Sequence, residues 1–153
     1  MSVYIRPLGP NDLRAISALA DAAEREGFRF LSRFLLDATQ DAVALDAPGE
    51  FFFGAFADST LLAIGGVTPD PYLPAPRVGR LRHVYVAAPH RRQGVGERLV
   101  AALERRACTE YDRLRLRTDT VDAARFYERV GYTARAHATA THERYLRSDL
   151  EAS

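Results

Sequence analysis

Lysine and tryptophan are absent from the 153 residues, and cysteine and methionine occur once each. Without lysine the chain cannot complete the G-x-x-x-x-G-K-[ST] phosphate loop, so any phosphate contact must come from arginine or from backbone. The lone Cys108 rules out an internal disulfide, and with no partnered base it reads as a buried or incidental thiol rather than a nucleophile. There is no surplus of one charge: 21 basic against 20 acidic residues leave a formal +1, so wholesale binding of nucleic acid or an anionic membrane is not expected. No stretch reaches the ~18 apolar residues of a membrane span. The opening MSVYIRPL lacks the basic-then-apolar order of a secretion signal. The expectation is one soluble, cytoplasmic domain over residues 1–153. His83, His90, His137 and His142 show no helical ligand spacing and no cysteine pair, so no metal is expected.

What is present is an alternation of strand-like and helix-like segments. VYIRPL (3–8) is rich in β-formers and ends in a turn, and Leu13, Ile16, Leu19, Ala20 and Ala23 then recur at helical spacing up to Gly27. FRFLSRFLLDAT predicts a shorter helix. FFFGAF (51–56) and LLAIGGV (61–67) predict a buried hairpin. PDPYLPAP must be a surface loop, since proline has no donor for a ladder. VGRLRHVYV (78–86) is the next strand, 97–107 a helix, RLRLRT (113–118) a strand, 121–130 a helix, and the tail a closing hairpin. Arg113, Arg115 and Arg117 share one strand face; without interleaved aromatics this reads as a solvated or salt-bridged face rather than an RNA surface.

HRRQGVGERLVAAL (90–103) joins a strand to a helix through two glycines flanked by arginines. A helix start offers unpaired N–H groups and the positive end of the dipole, which favour an anion. Gly94 and Gly96 let backbone approach a phosphate, while Arg91, Arg92 and Gln93 add donors. The G-x-G-x-x-G dinucleotide pattern fails because Leu99 holds the third glycine position. On this segment alone, a plain glycine turn with solvated arginines stands beside the phosphate reading.

A second segment, TDTVDAARFYERVGY (118–132), bears on the choice. Together the two resemble the GNAT superfamily of acyl-CoA-dependent N-acetyltransferases, whose R/Q-x-x-G-x-G/A pattern is matched by Arg91-Arg92-Gln93-Gly94-Val95-Gly96. The family's later FYE-x-x-G-(F/Y) is matched by Phe126-Tyr127-Glu128-Arg129-Val130-Gly131-Tyr132. The resemblance extends weakly over the whole chain. It implies an α/β GNAT fold: a mixed, mostly antiparallel sheet of about seven strands with about four helices, splayed at the acyl-CoA cleft. It also implies acetyl-CoA as co-substrate, with the glycine segment holding the pyrophosphate and the backbone of Val84, Tyr85 and Val86 holding the acyl and pantetheine portions. Tyr127 matches the tyrosine that many relatives use to protonate the leaving thiolate; it could equally be a core tyrosine. Where many relatives have Asn, this chain has Thr120, which can cap the helix but offers no amide to CoA. A homodimer through the closing hairpin is a further expectation of the resemblance.

Many relatives place a glutamate base where this chain has Arg80, and arginine cannot serve as one. His83 is the nearest titratable candidate, with a hydrogen-bonded or surface histidine as its alternative. Regular alternation puts Arg80, Arg82 and Val84 on one face and His83 and Tyr85 on the other, unless a bulge intervenes. A weakly basic site favours an α-amine, about a quarter neutral at pH ~7.5, over a lysine amine, about a thousandth neutral. Arg80 and Arg82 could attract an anionic group on the substrate, or could pair within the sheet. The expected acceptor is therefore a small anionic amine such as an amino acid, or a peptide N-terminus. Its cleft is expected between residues 28–34 and the loop 69–76, with Phe28, Phe30 and Tyr72 as walls or as core. The competing reading is an acyl-CoA-binding sensor or regulatory module without turnover.

Overall fold

Three consecutive phenylalanines, Phe51, Phe52 and Phe53, suit a strand covered on both faces, and the computed structural model places them so. It describes residues 2–40, 43–73 and 75–146. Phe51 and Phe53 pack with Leu99 and Leu103, while Phe52 and Phe56 pack with Ile16, Leu19 and Phe34. Two cores thus lie on opposite sides of one sheet, which is why its central strands read as continuous apolar runs rather than alternating ones.

The elements in chain order are β1 (Tyr4–Pro7), α1 (Leu13–Arg25), α2 (Phe30–Thr39), β2 (Asp46–Ala47), β3 (Glu50–Ala57) and β4 (Thr60–Pro69). There follow β5 (Val78–Val86), α3 (Val95–Ala107), β6 (Arg113–Leu116), α4 (Val121–Arg129), β7 (Thr133–Ala134) and β8 (His142–Tyr145). The sheet runs β1-β3-β4-β5-β6-β8-β7, with β2 beside β3. Every pairing is antiparallel except β5 with β6, whose parallel register needs the crossover that α3 provides. The α/β class, the mixed sheet and the four helices agree with the expectation.

Some boundaries differ from the sequence reading. Helix α3 starts at Val95, two residues early, because Gly94 takes φ 79° and turns the chain directly into the helix. Strand β6 stops at Leu116, since 117–120 leaves the sheet to reach the Thr120 cap of α4. β2 carried no sequence signal at two residues long. The closing hairpin is short within the described residues, and its predicted continuation over 147–150 lies outside them.

Two irregularities in β5 build the site. In its pairing with β4, Ile64 faces Tyr85 and Gly66 faces Arg82, so His83 and Val84 together oppose one residue. This bulge holds His83 at φ 59°, the left-handed region. It also corrects the alternation expected from sequence. Leu81, Val84 and Val86 belong to the α3 side, whereas Arg80, Arg82, His83 and Tyr85 share the α1/α2 side. Gly66, opposite Arg82, sits against Phe52 so tightly that a Cβ would enter the ring. The second irregularity is at the other edge, where only Val78, Gly79 and Arg80 pair with β6. Beyond Arg80 the two strands diverge.

Candidate active site

The divergence opens a cleft of about 790 Å³ that crosses the sheet. One wall is β5 from Arg80 to Val86; the other is 116–120 and the first turns of α4, with Phe28 and Phe30 at one end and Gly96 at the other. Ala87 N–H donates to the Leu62 carbonyl (2.9 Å), which continues the rung at Ile64 and Tyr85. Alternation therefore turns the amides of Val84 and Val86 toward the open edge. The Val86 carbonyl accepts from Arg91 Nε there at 2.9 Å, and its N–H is left facing the gap.

Residues 91–96 form the turn into α3. Arg92 (φ 63°) and Gly94 (φ 79°) both take the left-handed conformation, and the N–H groups of Arg92, Gln93 and Gly94 donate to no backbone carbonyl among the described residues. Together with the free N–H groups of Val95 and Gly96 at the helix start, they present a run of donors. A Cβ at Gly94 would meet nothing, whereas one at Gly96 would press on Val86 and Phe126 (3.3 and 3.4 Å), so Gly96 closes the helix onto β5. Arg91 does not point freely. Its guanidinium forks onto Glu26 at 2.8 and 2.6 Å, and Tyr85 donates to the same carboxylate at 3.2 Å. Gln93 reaches only the Pro89 carbonyl at 3.4 Å.

Across the gap, Thr120 caps α4 by accepting from Ala123 N–H (3.2 Å), which orients the helix so that Tyr127 lines the cleft. Tyr127 stacks edge-on against Phe126 and Tyr132, at 5.0 and 5.7 Å. Its hydroxyl has no hydrogen-bond partner among the described residues, and burial pushes its pKa well above the usual phenol value. A chain of contacts fixes this wall: Thr118 N–H donates to Thr141 Oγ1 (3.1 Å), Thr141 meets His142 Nδ1 (2.9 Å), and His142 Nε2 meets Glu128 (2.9 Å).

On the α1/α2 side, His83 stacks against Phe30 (6.0 Å), Phe34 (5.2 Å) and Phe52 (6.0 Å). Burial, with Arg82 beside it, pushes its pKa down to about 4, so it is neutral and weakly basic at neutral pH. Arg80 is buried and engaged: Asp70 at 3.4 Å, the Thr139 carbonyl at 2.9 Å, and the Tyr72 ring at 4.7 Å. Arg82 lines the cleft with no hydrogen bond or ion pair among the described residues. Phe28 and Phe30 line it too, but Tyr72 does not.

Sequence reasoning missed Asp70 and Glu26. Asp70 is fully buried, takes Arg80 and Arg115 (3.0 Å), and accepts N–H groups of Tyr72 and Leu73, which pins the proline loop over the sheet. A carboxylate 45 residues from Arg115 leaves no local signal. Among the described residues no three His, Cys, Asp or Glu side chains converge as metal ligands, and no helix is long and apolar enough to cross a membrane.

Residues 15–132 match the family model of the acetyltransferase (GNAT) family. Among solved structures, a protein of Exiguobacterium sp. 255-15 assigned as an acetyltransferase aligns with TM-score 0.81 and 28% identity, over 95% of this chain and 94% of its own. A protein of Desulfovibrio desulfuricans assigned to the GNAT family aligns with TM-score 0.78 and 20% identity, over 95% and 100%. PaiA N-acetyltransferase of Thermoplasma acidophilum, in complex with coenzyme A, aligns with TM-score 0.65 and 19% identity, over 95% and 99%. The last two are likenesses of fold. No curated protein matches in sequence.

Proposed function

The chain belongs to the GNAT acetyltransferase family, and on that premise we propose that it transfers the acetyl group of acetyl-CoA directly to a primary amine held in the same cleft. The carrying observation is the open edge of β5 with the Tyr127 hydroxyl, unpartnered among the described residues, across the gap. The neutral amine nitrogen attacks the thioester carbonyl and a C–N bond forms, the C–S bond breaks as the leaving sulfur is protonated, and the proton that the nitrogen sheds passes through solvent in the open cleft to restore the donor, leaving an acetamide and CoA.

Each requirement of this step has a residue. The N–H groups of residues 92–96 and the dipole of α3 suit the pyrophosphate, and Gly94 leaves open space for it. Arg91, engaged with Glu26, contributes by holding that turn against Val86. The edge amides of Val84 and Val86 serve as donors to the carbonyl oxygen as it gains charge. Tyr127 gives its proton to the departing thiolate; its raised pKa keeps it protonated throughout the neutral range. Thr120 fixes the helix that carries it.

The base is supplied weakly. With a pKa of about 4, His83 cannot draw a proton from an ammonium of pKa ~8, so the amine reacts in the neutral fraction it already has. His83 shapes the acceptor side. This favours an α-amine, that of a small amino acid or of a peptide N-terminus, over a lysine or polyamine, and Arg82 favours an acceptor that bears an anion. The test is thiol release from acetyl-CoA across amino acids, peptides, polyamines and aminoglycosides, with Tyr127→Phe as control. CoA binding without turnover on any amine would replace transfer with a sensor role.

A further inference from the structure

We propose that the acceptor is a free α-amino acid with an apolar or aromatic side chain, its carboxylate held by Arg82, and not a peptide N-terminus. This rests on the transfer reading and narrows it.

Four guanidinium groups line the cleft. Arg80 is taken by Asp70, Arg91 by Glu26 at 2.6 Å, and Arg117 faces Asp119 at 3.7 Å. Arg82 is left without a carboxylate among the described residues, half-buried and beside a neutral histidine. A half-buried guanidinium with no counter-ion is poised for a ligand anion, which it can hold with two parallel bonds. That anion is not a CoA phosphate. Arg82 lies four residues before Val86, or ~13 Å along the strand at about 3.3 Å per residue, from the end where α3 begins. The bulge also turns it to the α1/α2 side, opposite the face that α3 covers.

The same side carries an aromatic wall. Phe28 and Phe30 lie 6.0 Å apart, each 6.2 Å edge-on from Tyr85, and Phe28 keeps 38% of its surface exposed. An apolar side chain entering there removes ligand and wall surface from water together. In a free α-amino acid one carbon separates nitrogen from carboxylate, so holding the carboxylate at Arg82 fixes the amine close by at the open edge of β5. A peptide N-terminus offers only a neutral amide oxygen at that distance and leaves the Arg82 charge uncompensated.

The experiment compares kcat/KM for L-phenylalanine, L-phenylalaninamide and the dipeptide Phe-Ala, in wild type, Arg82→Gln and Arg82→Lys. The α-amine of the amide and of the dipeptide is less basic than that of the free acid and so more often neutral, which biases the comparison against the proposal. Wild type is expected to favour the free acid by about tenfold to a hundredfold, the range of a charge-assisted contact. Arg82→Gln collapses that ratio, and Arg82→Lys retains part of it. Glycine is expected to be a poorer acceptor than phenylalanine. Equal use of acid, amide and dipeptide by wild type, or an unchanged ratio in Arg82→Gln, overturns the proposal. Calorimetric titration of phenylalanine and its amide into the CoA-bound protein separates the two levels. Acid-selective binding without thiol release would sink transfer and keep the Arg82 subsite; transfer indifferent to the carboxylate would do the reverse.

Discussion

Replacing His83 by asparagine should remove a pH-dependence of stability that the wild-type chain carries between about pH 6.5 and pH 4. Asparagine tolerates the left-handed backbone that the bulge imposes at φ 59°, so the exchange deletes the imidazole without forcing the strand to rearrange. In the unfolded chain the ring takes a proton near its ordinary 6.5; in the folded chain, enclosed by Phe30, Phe34 and Phe52, it resists until about pH 4. The folded pKa is the lower, so the unfolded state binds more protons in this window and stability falls with falling pH. The loss begins near pH 6.5 and is complete at about pH 4. At about 1.36 kcal/mol per unit the total is about 3 kcal/mol, an order-of-magnitude figure. Urea unfolding at pH 7, 6, 5 and 4.5, for wild type and His83→Asn, measures it. The variant should be less stable at pH 7, having lost ring contacts, but the gap should close as the pH falls. Asp12, lowered by Arg6, and Glu104, raised by burial, titrate in both proteins and cancel in the difference. A gap constant from pH 7 to pH 4.5 would refute the burial of a neutral His83, and with it the weak-base account of the site.

Three other outcomes can be checked directly. Tyr127→Phe should lower kcat by about a hundredfold or more while leaving the melting temperature and CoA affinity nearly unchanged, because the hydroxyl has no partner to lose among the described residues. A large stability loss instead would make Tyr127 a packing residue. Gly94→Ala should cost about 1–2 kcal/mol of stability for a left-handed alanine and weaken CoA binding at least tenfold, read by calorimetry, since its Cβ would enter the open space proposed for the pyrophosphate; unchanged affinity would move the phosphates elsewhere. Asp70→Asn should destabilise by about 3 kcal/mol or more in urea, because Arg80 and Arg115 lose a buried counter-charge; a near-neutral effect would mean that the Thr139 contacts of both arginines suffice.

What the sequence disclosed followed from local constraints. Gly94 and Gly96 mark a turn that other residues cannot make or pack, and the spacing of Ile16, Leu19, Ala20 and Ala23 marks a helix face. The faces of β5 were not legible, because the bulge is set by its neighbour: Gly65 and Gly66 on β4 leave room that Phe52, Val84 and Leu103 fill. Arg80 and Arg82 look equivalent in RLRH, and only the burial of Asp70 from another loop separates an engaged arginine from one without a carboxylate among the described residues. Arg91 was expected from the glycine segment to add a donor for phosphate, but its pairing with Glu26 spans 65 positions and belongs to tertiary packing.

The bulge in β5 has an engineering consequence. It divides the strand into two stretches that can be altered separately: in the proposed reaction 80–83 presents side chains to the acceptor, and 84–86 presents main chain to the co-substrate. Exchanging side chains in the first stretch can retune which amine is taken while the second stays as it is. Deleting the extra residue would be far more damaging than any exchange, because it would shift the phase of everything after it, turning Tyr85 toward α3 and Val84 and Val86 toward the α1/α2 side. For this chain, libraries aimed at new acceptors should vary Arg82, Phe28 and Phe30 and hold the length of β5 constant.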